Sequence, residues 1–186
     1  MMNSRENLQI LIKKEKIQDK VKEISAQIQK DYKDEKLLIL GILNGAFIFM
    51  ADLIRELNLD LTLEFIKVSS YGNNTLSSGK VEISHLFDAS KIIKGNHILI
   101  IEDIVDTGIS LNELIKYIHK FSPKSLKLCA LLYKAARQKV KVDIDYLGFE
   151  IPNKFVVGYG LDFNQKYRHL PSIYSLKNIK NLEKLV

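Results

Sequence analysis

The stretch that most constrains the fold is Ile98–Leu111, which reads Ile-Leu-Ile-Ile-Glu-Asp-Ile-Val-Asp-Thr-Gly-Ile-Ser-Leu. Four consecutive apolar residues, Ile98 to Ile101, have no polar alternation. Such a run suits a strand buried on both faces, as in a parallel sheet. Glu102, Asp103 and Asp106 follow at once, then Thr107, Gly108 and Ser110. From Leu111 the apolar residues fall at 111, 114, 115 and 118, one face of a helix. The stretch therefore predicts a strand, a short acidic and hydroxyl-rich loop, and a helix. Parallel strands need crossover helices, so the fold class expected is α/β, a twisted parallel sheet flanked by helices.

Ligands of open parallel sheets bind beyond the carboxyl ends of the strands. A loop that feeds a helix N-terminus offers free N–H groups and a partial positive charge, and can hold a phosphate. Gly108 allows close backbone approach, and Thr107 and Ser110 add hydroxyl donors. Carboxylates beside a phosphate repel it unless sugar hydroxyls or a cation intervene. Glu102 and Asp103 thus point to ribose hydroxyls, Mg²⁺ or both. A helix cap would explain Asp106 or Thr107 alone. It would not explain three carboxylates within five positions.

Other segments place more loops at the same edge. Ile17, Val21, Ile24 and Ile28 mark an amphipathic helix over about 14–30. Leu37–Leu43 reads as a strand, Asn44-Gly45-Ala46 as a turn, and Phe47, Met50, Ala51, Ile54 and Leu57 as a helix face. Leu61–Ser69 and Val81–Phe87 read as strands around a polar loop rich in Gly, Ser and Asn. Ser125–Tyr133 is another strand, with Lys134 at its end. Phe155–Val157 is a short strand, with Phe155 by default a core residue, and a glycine-rich turn follows. A short helix is expected over 177–186.

Glu102-Asp103-Ile104-Val105-Asp106-Thr107-Gly108 resembles the 5-phosphoribosyl-1-pyrophosphate (PRPP) motif of type I phosphoribosyltransferases. The match from about Leu37 to Ser175 is similar to the hypoxanthine-guanine branch of that family. The resemblance implies one phosphoribosyltransferase domain over 1–186, with a small hood built largely by about 150–186, joined by the N-terminus. It implies transfer of ribose 5-phosphate from PRPP to a 6-oxopurine, giving a nucleoside monophosphate and pyrophosphate with Mg²⁺. Residues 106–110 (Asp106, Thr107, Gly108, Ser110) would hold the 5′-phosphate, and Glu102 and Asp103 the ribose hydroxyls and a metal. Asp106 would be the general base at purine N7. Asn44 and Gly45, across a cis Leu43–Asn44 bond, would meet pyrophosphate with Lys134 and Arg168. Ser70 and Tyr71 would belong to a lid. Lys154 would donate to the purine O6, Phe155 would stack on the base, Val156 would bind its edge through the backbone, and Asp162 would take the second Mg²⁺. A lysine donor suits O6 and is wrong for the amino group of adenine.

The chain has 186 residues, 46% hydrophobic and 27% charged, enough for one core. Its one cysteine, Cys129, forbids an intramolecular disulfide, and a reducing, cytoplasmic setting is expected. No apolar stretch has transmembrane length, so no membrane partner is expected. The net charge of +6 leaves room for nucleic acid. It equally suits small polyanionic substrates or a lysine-rich surface. The lysines are scattered apart from 134–141 and no aromatic platform accompanies them, so a solvated lysine-rich surface is the favoured reading. An RNA-binding regulator on the same fold is the alternative, disfavoured by Lys154-Phe155-Val156. A dehalogenase-type phosphatase lacks its Asp-x-Asp-x-Thr spacing here. The four histidines show no metal-ligand spacing. A homodimer or homotetramer is expected by resemblance.

Overall fold

The structure is a computed structural model that describes residues 8–70 and 81–177. The expected short helix over 177–186 and the tip of the long polar loop lie outside the described residues.

Six strands form the main sheet in the order β4-β3-β2-β5-β6-β7. They are β2 (Lys36–Leu43), β3 (Asp60–Ser70), β4 (Val81–His85), β5 (His97–Val105), β6 (Ser125–Tyr133) and β7 (Tyr146–Glu150), numbered after an N-terminal strand β1 (Leu8–Ile12). All neighbours are parallel except β3 and β4, which form an antiparallel edge. The α/β class expected from the sequence is what forms.

The all-apolar strands explain the layering. In β2, Leu37 and Ile39 face one side and Leu38 and Leu40 the other. In β5, Leu99 and Ile101 join the first side, and Ile98 and Ile100 the second. The first face is covered by α1 (Lys14–Asp31) and α2 (Phe47–Glu56). The second is covered by α3 (Ala89–Ile92) and α4 (Ile109–His119). Ile17, Val21, Ile24 and Ile28 of α1 are all buried at their four-three-four spacing.

One expectation needs correction. The buried face of α2 is Phe49, Met50 and Leu53. Of the expected stripe Met50 and Leu57 are buried, while Phe47 and Ala51 are exposed and Ile54 is half-buried, so the stripe is rotated. Phe47 is 43% exposed at the start of that helix. The first turn, 47–50, is apolar all round, so packing decides which of its residues are covered. On β3, Leu63 and Phe65 alternate as a strand should, yet both are exposed and Ile66 is the buried residue. Period-two alternation defines two faces without saying which one is covered.

A second, three-stranded sheet has the order β1-β9-β8, with β8 at Val156–Val157 and β9 at Ile173–Leu176. It joins the N-terminal strand to the segment after β7 by antiparallel pairing.

Truncating Phe49, fully buried on the sheet-facing side of α2, to alanine should cost about 3–5 kcal/mol. Truncating the half-exposed Phe65 to serine should cost about 0.5 kcal/mol or less. Chemical denaturation of the two variants beside the parent checks the ranking, and equal losses would reject this description of the layers.

Candidate active site

Strand β5 does not stop where its apolar run stops. Its ladder with β6 continues through Glu102↔Ala130 to Ile104↔Leu132 and Val105↔Tyr133. Glu102 and Asp103 therefore sit on the strand end, not in the loop that the sequence suggests. This holds them against the protein interior. Glu102 is half-buried, and its Oε2 atom is shielded from solvent with no hydrogen-bond partner among the described residues. Asp103 Oδ1 accepts from the Ile104 N–H at 2.8 Å.

Burial raises both carboxyls above the ordinary carboxylate range. For Glu102 the adjacent Asp103 carboxylate adds to the effect of burial. For Asp103 the N–H groups of Ile104 and of Asp103 itself, and the charge of Arg168, partly oppose it, while Asp162 works with it. Two acids forced together out of water favour a shared proton or a bound cation.

Three more segments converge on this strand end. The Leu43–Asn44 peptide after β2 is cis, as the resemblance implies. Gly45 packs so closely on Asp103 that a Cβ there would collide with the carboxylate. Gly160 approaches Gly45 in turn, and a Cβ on Gly160 would strike the Gly45 carbonyl. Arg168 Nη1 donates to the Gly160 carbonyl at 2.7 Å, and Arg168 Nη2 lies 2.8 Å from Asp162 Oδ1. Asp162 Oδ2 also accepts from the Gln165 N–H at 2.8 Å. Asp162 and Arg168, assigned to different ligands by resemblance, are thus paired with each other.

The loop after β5 turns at Gly108, whose φ of +78° favours glycine, and α4 begins at Ile109. Thr107 Oγ1 receives the Ile109 N–H at 3.5 Å. The segment after β6 fastens this loop from outside. Lys139 and Val140 both donate their N–H groups to the Thr107 carbonyl, at 3.0 and 3.1 Å. A side chain at Gly108 would meet the Val140 carbonyl.

Two cations attend Asp106. Lys134 is only 7% exposed, and burial lowers its pKa while the Asp106 carboxylate opposes that. Arg137 Nε stands 3.1 Å from Asp106 Oδ1. Nothing in the sequence singled out Arg137, which sits in a basic run with no motif.

Lys154 and Phe155 are exposed just before β8. Phe155 is therefore not a core residue, and its ring meets Phe163 edge-on at 5.6 Å. Val156 is buried and pairs with Ser175. Asn44 is exposed, Ser110 is half-buried, and the Ser70 backbone pairs with Val81. Tyr71 lies outside the described residues. No group of three carboxylate, imidazole or thiol side chains forms a metal cage among the described residues.

The family model for the phosphoribosyl transferase domain matches residues 9–164. The hypoxanthine-guanine phosphoribosyltransferase of Bacillus subtilis is 46% identical over 168 residues, 90% of this chain and 92% of that protein. The hypoxanthine phosphoribosyltransferase of Escherichia coli is 40% identical over 168 residues, 89% of this chain and 93% of that protein. A crystal structure of a hypoxanthine-guanine phosphoribosyltransferase from Bacillus anthracis superposes with a TM-score of 0.85 at 43% identity, covering 91% of this chain and 98% of that one.

Glu102→Gln should stabilise the ligand-free protein at neutral pH. A carboxyl raised on folding loses its proton more easily in the unfolded chain, so folding weakens as pH rises from the unfolded pKa to the folded one. Across that window the gain from the substitution should grow by about 1.4 kcal/mol for each step of one in pH. It should level off above the folded pKa and vanish below about pH 4. Thermal unfolding of parent and variant at several pH values measures it. A variant no more stable than the parent at pH 8 would refute the account of this pair.

Proposed function

The chain belongs to the phosphoribosyltransferase family and, within it, to the hypoxanthine-guanine phosphoribosyltransferases of purine salvage; on that premise we propose that it joins hypoxanthine or guanine to PRPP, forming IMP or GMP and pyrophosphate. The observation that carries this reading is the end of β5. There two buried carboxylates, one hydroxyl-bearing turn and the start of α4 follow one another without a break.

In this reading the backbone N–H groups and hydroxyls of residues 106–110 (Asp106, Thr107, Gly108, Ser110) bind the 5′-phosphate. Glu102 and Asp103 hold the 2′ and 3′ hydroxyls of the ribose. Gly45 and Asn44 face the pyrophosphate with Lys134 and Arg168. The base lies on Phe155, with its O6 on Lys154 and its edge on the Val156 backbone. The new bond joins C1′ to purine N9, the C1′–O bond to pyrophosphate breaks, and Asp106 receives the N7 proton. Lys134 and Arg137 lie beside Asp106 and set the charge around it. A lid carrying Ser70 and Tyr71 would exclude water from the ribosyl centre.

The donor set fits Mg²⁺. This ion takes one or two carboxylates and completes its shell with substrate oxygens and water. The unpartnered Oε2 of Glu102 and the Asp103 carboxylate supply such oxygens without a protein cage. When bound, Mg²⁺ neutralises charge on the leaving pyrophosphate. Asp162 would hold a second ion by exchanging its contact with Arg168, which would free that guanidinium for the pyrophosphate.

The second sheet, β1-β9-β8, would be the hood of a single domain. No helix among the described residues is long and apolar enough to cross a membrane. We take the setting to be cytoplasmic, in keeping with a lone, buried Cys129. The exposed Leu63 and Phe65 on β3 offer apolar side chains to the homodimer or homotetramer expected of the family.

An ultraviolet assay with PRPP, Mg²⁺ and each purine base tests the proposal. Hypoxanthine or guanine should be converted, adenine should not, and chelator should abolish turnover. Asp106→Asn should lower kcat about 100-fold or more, with a smaller change in KM for PRPP. Conversion of adenine would overturn the role of Lys154, and an unchanged kcat in the Asp106 variant would remove the base.

A further inference from the structure

Arg137 is held on the phosphate cradle by its neighbours. It closes a short 3₁₀ turn, Ala135–Arg137. The Lys134 N–H donates to the Val105 carbonyl at 3.0 Å on one side, and Lys139 and Val140 donate to Thr107 on the other. The turn therefore moves with residues 105–108. Only the Arg137 side chain is left to choose between partners on that loop.

In this structure it chooses Asp106. Its Nε lies 3.1 Å from Asp106 Oδ1, and the two side chains are 47% and 34% exposed. The pair is poorly directed, since Asp106 Oδ1 receives no hydrogen bond of good geometry. That oxygen is itself shielded from solvent, so the weakness of the pair lies in its misalignment: a shielded charge without a well-directed partner is poorly satisfied. A phosphate dianion presents more charge and more acceptor oxygens to a guanidinium than one carboxylate does. Lys134 cannot play the same part, because it is buried at the strand end.

Building on the proposed phosphate cradle and the base role of Asp106, we propose that Arg137 is a gating residue that passes from Asp106 to the 5′-phosphate of the ribosyl substrate. In the free enzyme the guanidinium neutralises Asp106. Phosphate in the cradle draws the guanidinium away and leaves the carboxylate free to accept a proton. The base thus becomes available when the ribosyl donor is in place.

A double-mutant cycle on binding of ribose 5-phosphate, measured by calorimetry without metal, decides the matter. Asp106→Asn should tighten binding about 10-fold when Arg137 is present, because no ion pair has to be surrendered. In the Arg137→Gln background the same substitution should change binding by about 2-fold or less. Arg137→Lys should restore part of the coupling, which a purely structural role would not predict. An arginine that stayed on Asp106 would reverse the sign, giving the larger gain in the glutamine background, and that result overturns the proposal. The cycle reads binding alone, so it is independent of whether Asp106→Asn loses turnover. Failure of the parent protein to bind ribose 5-phosphate at millimolar concentration would instead overturn the cradle, and the gate with it.

Discussion

Burial of β5 on both faces fixes the rest of the molecule. Ile98 to Ile101 are wholly enclosed between two helical layers, so the next residues of the strand emerge at the sheet edge in one direction only. Those residues are Glu102 and Asp103. A strand anchored by four buried aliphatic side chains can carry two carboxylates that would never be buried on their own account. The unfavourable environment is local, and the apolar run next to it supplies the compensating burial. On the proposed reading, ribose hydroxyls or a cation would satisfy the same carboxylates.

The loops around this pair are set by backbone contacts more than by side-chain ones. Gly45 lies on Asp103, and Gly160 on the Gly45 carbonyl, with no room for a Cβ at either glycine. Through these contacts the turn after β8, which carries Asp162 and Arg168, is positioned against the end of β2. Tyr159 adds a tie from the same turn. It is buried, and its hydroxyl donates to Asp52 Oδ2 of α2 at 2.6 Å. The helix that follows the Asn44-Gly45 turn is thereby fixed to the segment beyond β8. A change in either loop must be felt in the other, since packed backbone has no soft coordinate to absorb it.

Much of this was legible in the sequence, and what was not has identifiable causes. The β5–loop–α4 unit could be read because apolar run, acidic cluster and helical stripe stand in order within Ile98–Leu111. Helix α1 could be read because its other face is uniformly polar. Helix α2 could be oriented only in part, since its first turn, 47–50, is apolar all round and only contact with the sheet selects Phe49, Met50 and Leu53. By residue type alone the exposure of Phe155 was hidden, because aromatic residues are usually core, whereas the resemblance, which sets its ring on the base, requires it; the residue turns outward just before a two-residue strand. The placement of Glu102 within β5 was hidden because charged residues read as loop, whereas its ladder partner Ala130 belongs to a buried neighbour.

Arg137 marks the limit of sequence reading most clearly. It stands 31 positions after Asp106, in a basic segment whose neighbours point to no chemistry. Its place is decided by the parallel crossover that returns β6 beside β5, bringing the end of one strand next to the end of the other. Tyr133 pairs with Val105 in that ladder, so the residues after Tyr133 are bound to cross the loop after Val105. The hydrogen bonds from Lys134 to Val105 and from Lys139 and Val140 to Thr107 then leave the 3₁₀ turn directly over the acid. A residue type that looks like solvated surface in the sequence comes to stand 3.1 Å from Asp106 because of register. Sheet topology assembles charge from separate chain segments here, and local patterns carry no record of it.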